Sequence, residues 1–374
     1  MLAACGPSDD AARRVVATPT EQLELLPSGT ASDDGSEDAP LFVTSVGAGR
    51  TVVLDAASLQ LRTLDSAGRV IARGGGKGAG PGEFQSVSQL FPIGIDSIAV
   101  WDPTLRRVTA FDGNLHIGAV TVVTSWPSTG RLQLMGRLAN GAYVGLSLTD
   151  GEISDAEVQQ TRDVVTVVSG RLNETPMPIV RLRGSEQVRV TEKRGAWAVP
   201  VPGAATARAI AVCGDSIVVV DSVLSAYTGN TVASRPFLIP VDTLSSEART
   251  RLIASTADVS AGPVVQQLLQ QALERQTPDP LIRARKALLS SASDIWFAGS
   301  SGGTFRLGRH SGDGVAQQRA QFTGAVLPLS LDPRRLFAVR AAGAGAELLT
   351  LRRSGAAEFR LLSTSPACGP TFWY

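Results

Sequence analysis

Apolar and polar residues alternate along this chain in short runs, few of them long enough to make a helix. The clearest is Asp96-Ser97-Ile98-Ala99-Val100-Trp101-Asp102, and Asp215-Ser216-Ile217-Val218-Val219-Val220-Asp221 repeats its D-S-I-x-V-x-D pattern. Weaker copies stand at Thr51-Val52-Val53-Leu54-Asp55, Ala142-Tyr143-Val144, Asp294-Ile295-Trp296-Phe297 and Arg335-Leu336-Phe337-Ala338-Val339. Runs of this kind predict strands with at least one buried face. The copies recur about 40 to 47 residues apart in three intervals and about 76 apart in two. A period near 40 to 45 is the length of a four-stranded propeller blade, so the two long intervals carry insertions of about 30 residues.

Four of the runs are followed by a more polar strand, a Gly- or Asn-type turn and a resumed strand: Leu61 to Ile71, Val108 to Gly118, Phe305 to Val315 and Leu349 to Phe359. That is hairpin chemistry. One insertion has its own period: Val264, Val265, Leu268, Leu269, Ala272 and Leu273 mark one apolar helical face, with Pro278 and Pro280 beyond it. It predicts a short helical excursion over about 245–276, either packed on the β-surface or acting as a lid or docking element. The other insertion, about 172–204, is strand-like and carries no further signal. The predicted fold is therefore all-β, a six-bladed propeller with one helical insertion, closed by Phe42-Val43-Thr44 pairing near the C-terminal strands.

The stretch "GKGAGPGEFQSVSQLFPIGIDSIAVWDPTLRRVTAFD", residues 76–112, resembles an NHL repeat. Gly78, Gly80, Gly82 and Phe84 match the Gly-rich connection, Val100 and Asp102 the strand end, and Arg107, Val108, Phe111 and Asp112 the following strand. The match covers one blade well and the others loosely. It implies a six-bladed propeller of the NHL-like superfamily, in which many bacterial lipoproteins have no assigned function.

Composition removes some options. The 374 residues hold 35 basic and 34 acidic side chains, a net charge of +1, so no long-range field draws the chain to nucleic acid or an anionic bilayer. No apolar run reaches the roughly 18 to 20 residues of a spanning helix. Leu2-Ala3-Ala4-Cys5 resembles the lipobox of bacterial lipoproteins, in which the cysteine is lipidated after cleavage. The expected organisation is a lipobox remnant at 1–5 with Cys5 lipidated, a flexible linker at 6–40, and the propeller at 41–374. The location that follows is the bacterial envelope, with the lipid as the only membrane contact. With Cys5 so used, Cys213 and Cys368 can form a disulfide in an oxidising compartment. Alternatively Cys213, beside an apolar strand, is a small buried hydrophobe.

Candidate chemistry is sparse. The loop at 74–82 lacks the Ser or Thr after Lys77 that a phosphate-binding P-loop needs, and it leads into a strand rather than a helix. It reads as an interblade connection, with anion binding through Lys77 as the alternative. Asp55, Asp102 and Asp221, at the strand ends of the repeat, either cap turns, with Asp102 pairing to Arg107, or line a channel and hold Ca²⁺. His116 and His310 are the only histidines, fewer than the zinc-binding propeller lyases use, and both read as solvated turn residues. Trp101, Trp296 and Phe297 read as packing residues, and the terminal Thr371-Phe372-Trp373-Tyr374 as a segment tucked against the fold. No H-E-x-x-H motif is present. The functional expectation is a monomeric, non-catalytic propeller that uses one end of its channel to bind a protein or small ligand and needs no cofactor. The alternative is a Ca²⁺- or Zn²⁺-dependent hydrolase or lyase resembling the lactonase and strictosidine-synthase-like enzymes.

Overall fold

The computed structural model describes residues 20–21, 23–30, 40–47, 49–55, 57–127, 131–149, 158–192, 195–200, 209–220, 223–236, 263–275, 286–291, 294–301, 304–310, 316–323, 326–331, 336–342, 345–353 and 372–373. Their strands make six sheets, antiparallel but for one two-residue parallel pair in the fifth, each built mainly from consecutive strands of the chain. The first holds Pro40–Val46, Arg50–Asp55, Gln60–Leu64 and Val70–Gly75; the second, Gln89–Gly94, Ser97–Asp102, Arg107–Asp112 and Ile117–Val122. The third is built from Arg131–Arg137, Tyr143–Thr149, Val158–Gly170, Met177–Glu192 and Gly195–Pro200. The fourth is built on Ala209–Cys213, Ser216–Val220, Val223–Thr228 and Thr231–Pro236, the fifth on Lys286–Ser291, Asp294–Ser301, Thr304–His310 and Ala316–Thr323. The sixth holds Val326–Leu331, Leu336–Ala342 and Gly345–Arg353. The first strands of successive sheets are neighbours in this order, and the sixth returns to the first. The architecture is all-β and propeller-like.

Every copy of the repeated run falls in the second strand of its sheet. The second strand packs between neighbours on both sides, so its pattern is the most apolar and the easiest to find: Ser97–Asp102 is buried from Ile98 onward. Cores form between adjacent sheets. Val52, Leu54 and Leu61 of the first sheet meet Phe84, Leu90, Ile98 and Val100. Phe91, Trp101 and Trp126 meet Leu132, Leu134 and Val168 of the third sheet. Trp101 is therefore a packing residue, as its position in the repeat predicts.

Within the expected linker at 6–40, the described residues include two strands. Leu23–Thr30 is the outermost strand of the sixth sheet, antiparallel to Gly345–Arg353, and Thr20–Glu21 adds in parallel to Ala316–Thr323 of the fifth. Leu23–Thr30 thus completes the sixth sheet beside its last consecutive strand. Phe42-Val43-Thr44 instead lies in the innermost strand of the first sheet, paired with Val52, Val53 and Leu54. Physically, an N-terminal strand beside the last consecutive strand closes the ring through main-chain hydrogen bonds and covers that strand's open edge. The Phe372–Trp373 pair joins the inner edge of the fourth sheet, opposite Ala209 and Ile210.

A 13-residue helix, Pro263–Arg275, forms inside the expected 245–276 excursion; residues 245–262 lie outside those described. It packs on the third sheet through Val265 and Leu268, against Val158, Val188, Val190 and Val199. Val264 belongs to the same predicted face but is 54% exposed, so the buried stripe is narrower than the sequence period implies.

Candidate functional site

The aspartates of the repeat build turns. Asp102, fully buried, accepts hydrogen bonds at Oδ2 from the amides of Gln85 and Ser86 (2.7 and 3.3 Å) and at Oδ1 from Leu105 N–H and Ser86 Oγ–H (3.0 and 3.2 Å). Asp55 accepts at Oδ1 from the amides of Ala57 and Ser58 and from Ser58 Oγ–H. Four residues after each, Leu59 and Arg106 take positive φ, 56° and 47°, so the same strained turn is made twice. Asp221 lies outside the described residues. Among the described residues no three His, Cys, Asp or Glu side chains cluster as metal ligands would.

The expected pairing of Asp102 with Arg107 is not made. They are opposite in the ladder, but Arg107 donates to the carbonyls of Ala79 and Glu83. Both side chains thereby clamp the 74–86 connection from the same strand ends. Within that connection the amides are already engaged: Gly76 N–H donates to Leu59 O, Gly78 N–H to Phe84 O, Gly80 N–H to Glu83 Oε2, and Phe84 N–H to Gly76 O. Phe84 is fully buried beside Phe111, ring centroids 6.1 Å apart. Lys77 is exposed and bridges to Phe84 through the backbone. The loop's geometry is that of an anchored crossover between sheets.

A second turn type also repeats. Asp65 accepts from the amides of Ala67 and Arg69 and from the Arg69 guanidinium; Asp112 accepts from the amides of Asn114 and His116 and lies 2.9 Å from His116 Nδ1. Positive φ comes three residues after each aspartate, at Gly68 and Leu115. Hydrogen bonds from the backbone of residue i+4, then from its side chain, hold both carboxyls below the ordinary aspartate range. His116 is solvent-exposed at its turn, as predicted. His310 ends the strand Thr304–His310 instead of following a turn, opposite Ile295 and Ala316.

Cys213, 2% exposed, is disulfide-bonded; the other two cysteines, Cys5 and Cys368, lie outside the described residues. Burial pushes the Tyr143 hydroxyl above the ordinary tyrosine value, against the opposing charge of Arg137, whose guanidinium sits 5.9 Å from the ring centre.

The feature with the character of a binding site lies where the sequence shows no motif. Val158–Gly170 and Met177–Glu192 form a long hairpin in the third sheet, and the ladder with Tyr143–Thr149 ends at Val164. The hairpin therefore continues past its inner neighbour. At the point of departure a pocket of about 410 Å³ is lined by Arg162, Val164, Arg181, Leu182 and Arg183. The three arginines are exposed. Opposite them in register stand Thr166 for Arg181, Val164 for Arg183 and Glu186 for Arg162, with a register shift between Arg162 and Val164. Val158 and Arg162 are four residues apart in one strand and share a face, so the helix-covered Val158 cluster and the arginine pocket lie along one side of the hairpin. The alternation Arg181-Leu182-Arg183 was the one available signal, and by itself it describes any half-exposed strand.

No family model matches the chain, and no curated protein matches it in sequence. Among solved structures, a Bacteroides fragilis protein described as exported is similar over 88% of this chain and 95% of its own, with a TM-score of 0.51 and 13% identity. A catalytically inactive virginiamycin B lyase from Staphylococcus aureus, solved with quinupristin, covers 88% of this chain and 98% of its own at a TM-score of 0.44 and 10% identity. A gluconolactonase from Xanthomonas campestris covers 89% of this chain and 97% of its own at a TM-score of 0.40 and 11% identity. No helix among the described residues is long and apolar enough to cross a membrane. At these identities the likeness to the Bacteroides protein shows the fold alone, and this chain shares with it an all-β, propeller-like architecture.

Proposed function

We propose that the chain is a six-bladed, NHL-like propeller of the bacterial envelope, lipid-anchored at Cys5, that binds a ligand or partner without catalysing a reaction on it. The six sheets, with their first strands in a ring, support the blade count. The observation that carries the binding reading is the outgrown hairpin of the third sheet. A strand pair that continues beyond the ring costs chain entropy without adding to the inter-sheet core. What it adds is a concave, arginine-lined surface of a size suited to a small ligand. Around that pocket stands no nucleophile paired with a base, nor a set of carboxylates and imidazoles, among the described residues. The proposed site is this hairpin pocket rather than the channel end that the sequence suggests.

Cys368 is the proposed partner of Cys213. Phe372–Trp373 pairs antiparallel with Ala209–Ile210, and continuing that register backward from Phe372 leads toward Cys213. A disulfide there suits an oxidising compartment, in keeping with the envelope assignment.

Purified protein tests this reading directly. Elemental analysis should find no stoichiometric Ca²⁺ or Zn²⁺, and a panel of lactones and sulfate or phosphate esters should be left intact. Stoichiometric metal together with chelator-sensitive turnover would replace the binding reading with the hydrolase or lyase alternative. Cell fractionation of the Cys5→Ala variant tests the anchor: the variant should leave the membrane fraction.

A further inference from the structure

We infer that Arg181 and Arg183 form a receptor for a phosphate-type dianion at the base of the outgrown hairpin. The inference rests on the binding reading above and names the chemistry of the ligand. Arg181 and Arg183 are two residues apart in one strand and so present their guanidinium groups on the same face. Neither has a carboxylate opposite it in the ladder: their register partners are Thr166 and Val164. Gly195–Pro200 begins to cover the far side of this strand only from Gln187, so along 177–186 the ladders described leave that edge open to a ligand.

The concentration of charge is local. A chain with net charge +1 sets three arginines around one pocket of about 410 Å³, where like charges side by side repel unless an anion joins them. Guanidinium is the side chain suited to this: it stays protonated, and its planar fork donates two parallel hydrogen bonds to an oxyanion. Two such forks match a dianion with three or four acceptor oxygens better than a single carboxylate. Arg162, which has other contacts of its own, contributes to the field at the pocket wall and is not assigned a direct bond. The helix Pro263–Arg275 packs farther along the same side of the hairpin, on Val158, Val188, Val190 and Val199, and contributes no lining residue to the pocket.

Inorganic phosphate and a small phosphate monoester, titrated calorimetrically into the full chain, test the inference. Both should bind at one site, weaken between about 50 and about 300 mM salt, and lose at least about tenfold in affinity in Arg181→Gln/Arg183→Gln. Tighter binding of the monoester would identify the ligand as a phosphorylated molecule, and equal binding as phosphate itself; both outcomes support a phosphate-type receptor. The paired Arg181→Lys/Arg183→Lys variant keeps the charge and loses the fork, and should fall between the two. Unchanged thermal midpoints show that the variants fold. Absence of phosphate binding by the unmodified protein, or equal binding by the glutamine variant, would overturn the assignment. If a carboxylate ligand or an acidic peptide binds instead and the glutamine variant abolishes that binding, the dianion claim falls while the binding reading survives. Metal-dependent turnover removes the binding reading itself.

Discussion

Asp102 and Arg107 stand directly opposite each other in the second sheet and do not pair; each reaches into the 74–86 connection, the carboxylate to its amides and the guanidinium to its carbonyls. The acid and the base complement opposite ends of the peptide dipoles in one crossover. This fastens the chain as it passes from the first sheet to the second. Replacing Asp102 by Ala leaves the Gln85, Ser86 and Leu105 amides without their acceptor in a buried setting. We expect a loss of about 3 kcal/mol in urea unfolding, with no change in calcium binding. Unaltered stability would remove the structural role.

Glycine is required at a few positions of that crossover. Gly75 has φ of +74°, and a Cβ there would meet Phe84 Cε2 at 2.9 Å and the Leu59 carbonyl at 3.2 Å. Gly75→Ala should cost about 2 kcal/mol from the left-handed backbone and the crowding of a buried ring. Gly118→Ala, with only the Ala110 carbonyl near at 3.8 Å, is the control and should be neutral or slightly stabilising in the same thermal melts.

The Asp112 turn predicts a pH response. Its folded-state pKa is depressed, so the turn's contribution is present above the ordinary aspartate pKa and is lost as pH falls through the depressed value. The largest cause is the His116 backbone N–H, with the imidazole second. In a carbon-detected carboxyl titration, His116→Ala should therefore move the Asp112 midpoint upward only part of the way to the ordinary value. A complete return would transfer the main role to the imidazole. Arg69→Ala should do the same to Asp65, where the order of causes is the same.

Deleting residues 1–31 should unzip the sixth sheet. The strand Leu23–Thr30 is its outer member, paired from Leu23↔Arg353 to Thr30↔Glu347. Loss of a handful of ladder hydrogen bonds at about 1 kcal/mol each predicts destabilisation on the order of 5 kcal/mol and faster exchange of the amides in 345–353. If hydrogen exchange there is unchanged, the strand does not close the ring.

The disulfide is checked by mass spectrometry of unreduced peptides, which should link the Cys213 peptide to that of Cys368. Cys368→Ser should expose a free thiol on unfolding, and Cys5→Ser should not. A crosslink closing a loop of this length contributes about 5 kcal/mol in the chain-entropy model, so reduction should lower the melting temperature by several degrees.

Much of the fold was legible because strand burial leaves a period. The six repeated runs mark the second strand of each sheet, and Ser97–Asp102 and Ser216–Val220 are nearly identical because both strands are packed on both faces. The glycines of the crossover were legible because Gly75, Gly76, Gly78 and Gly82 take the positive φ that a tight turn demands, a constraint local to each residue. The polar assignments were harder. That Asp102 belongs to a turn follows from sequence, but its partners do not, since the amide of Gln85, 17 residues away, takes the carboxylate and the nearer, directly opposed Arg107 does not.

Sequence alone thus determined the all-β class, the repeat, the turn chemistry and the short helix, since each depends on spacing over a few residues. Tertiary structure decided what depends on distant pairing. It drew Leu23–Thr30 out of an apparently featureless linker into the sixth sheet, because an eight-residue strand becomes worth forming only beside an open edge. It also made a pocket of Arg162, Arg181 and Arg183, which sit on two strands whose register is fixed by the hairpin and its bulge. Charge spacing along a chain says nothing of that; only the pairing of the strands puts the three guanidinium groups around one space.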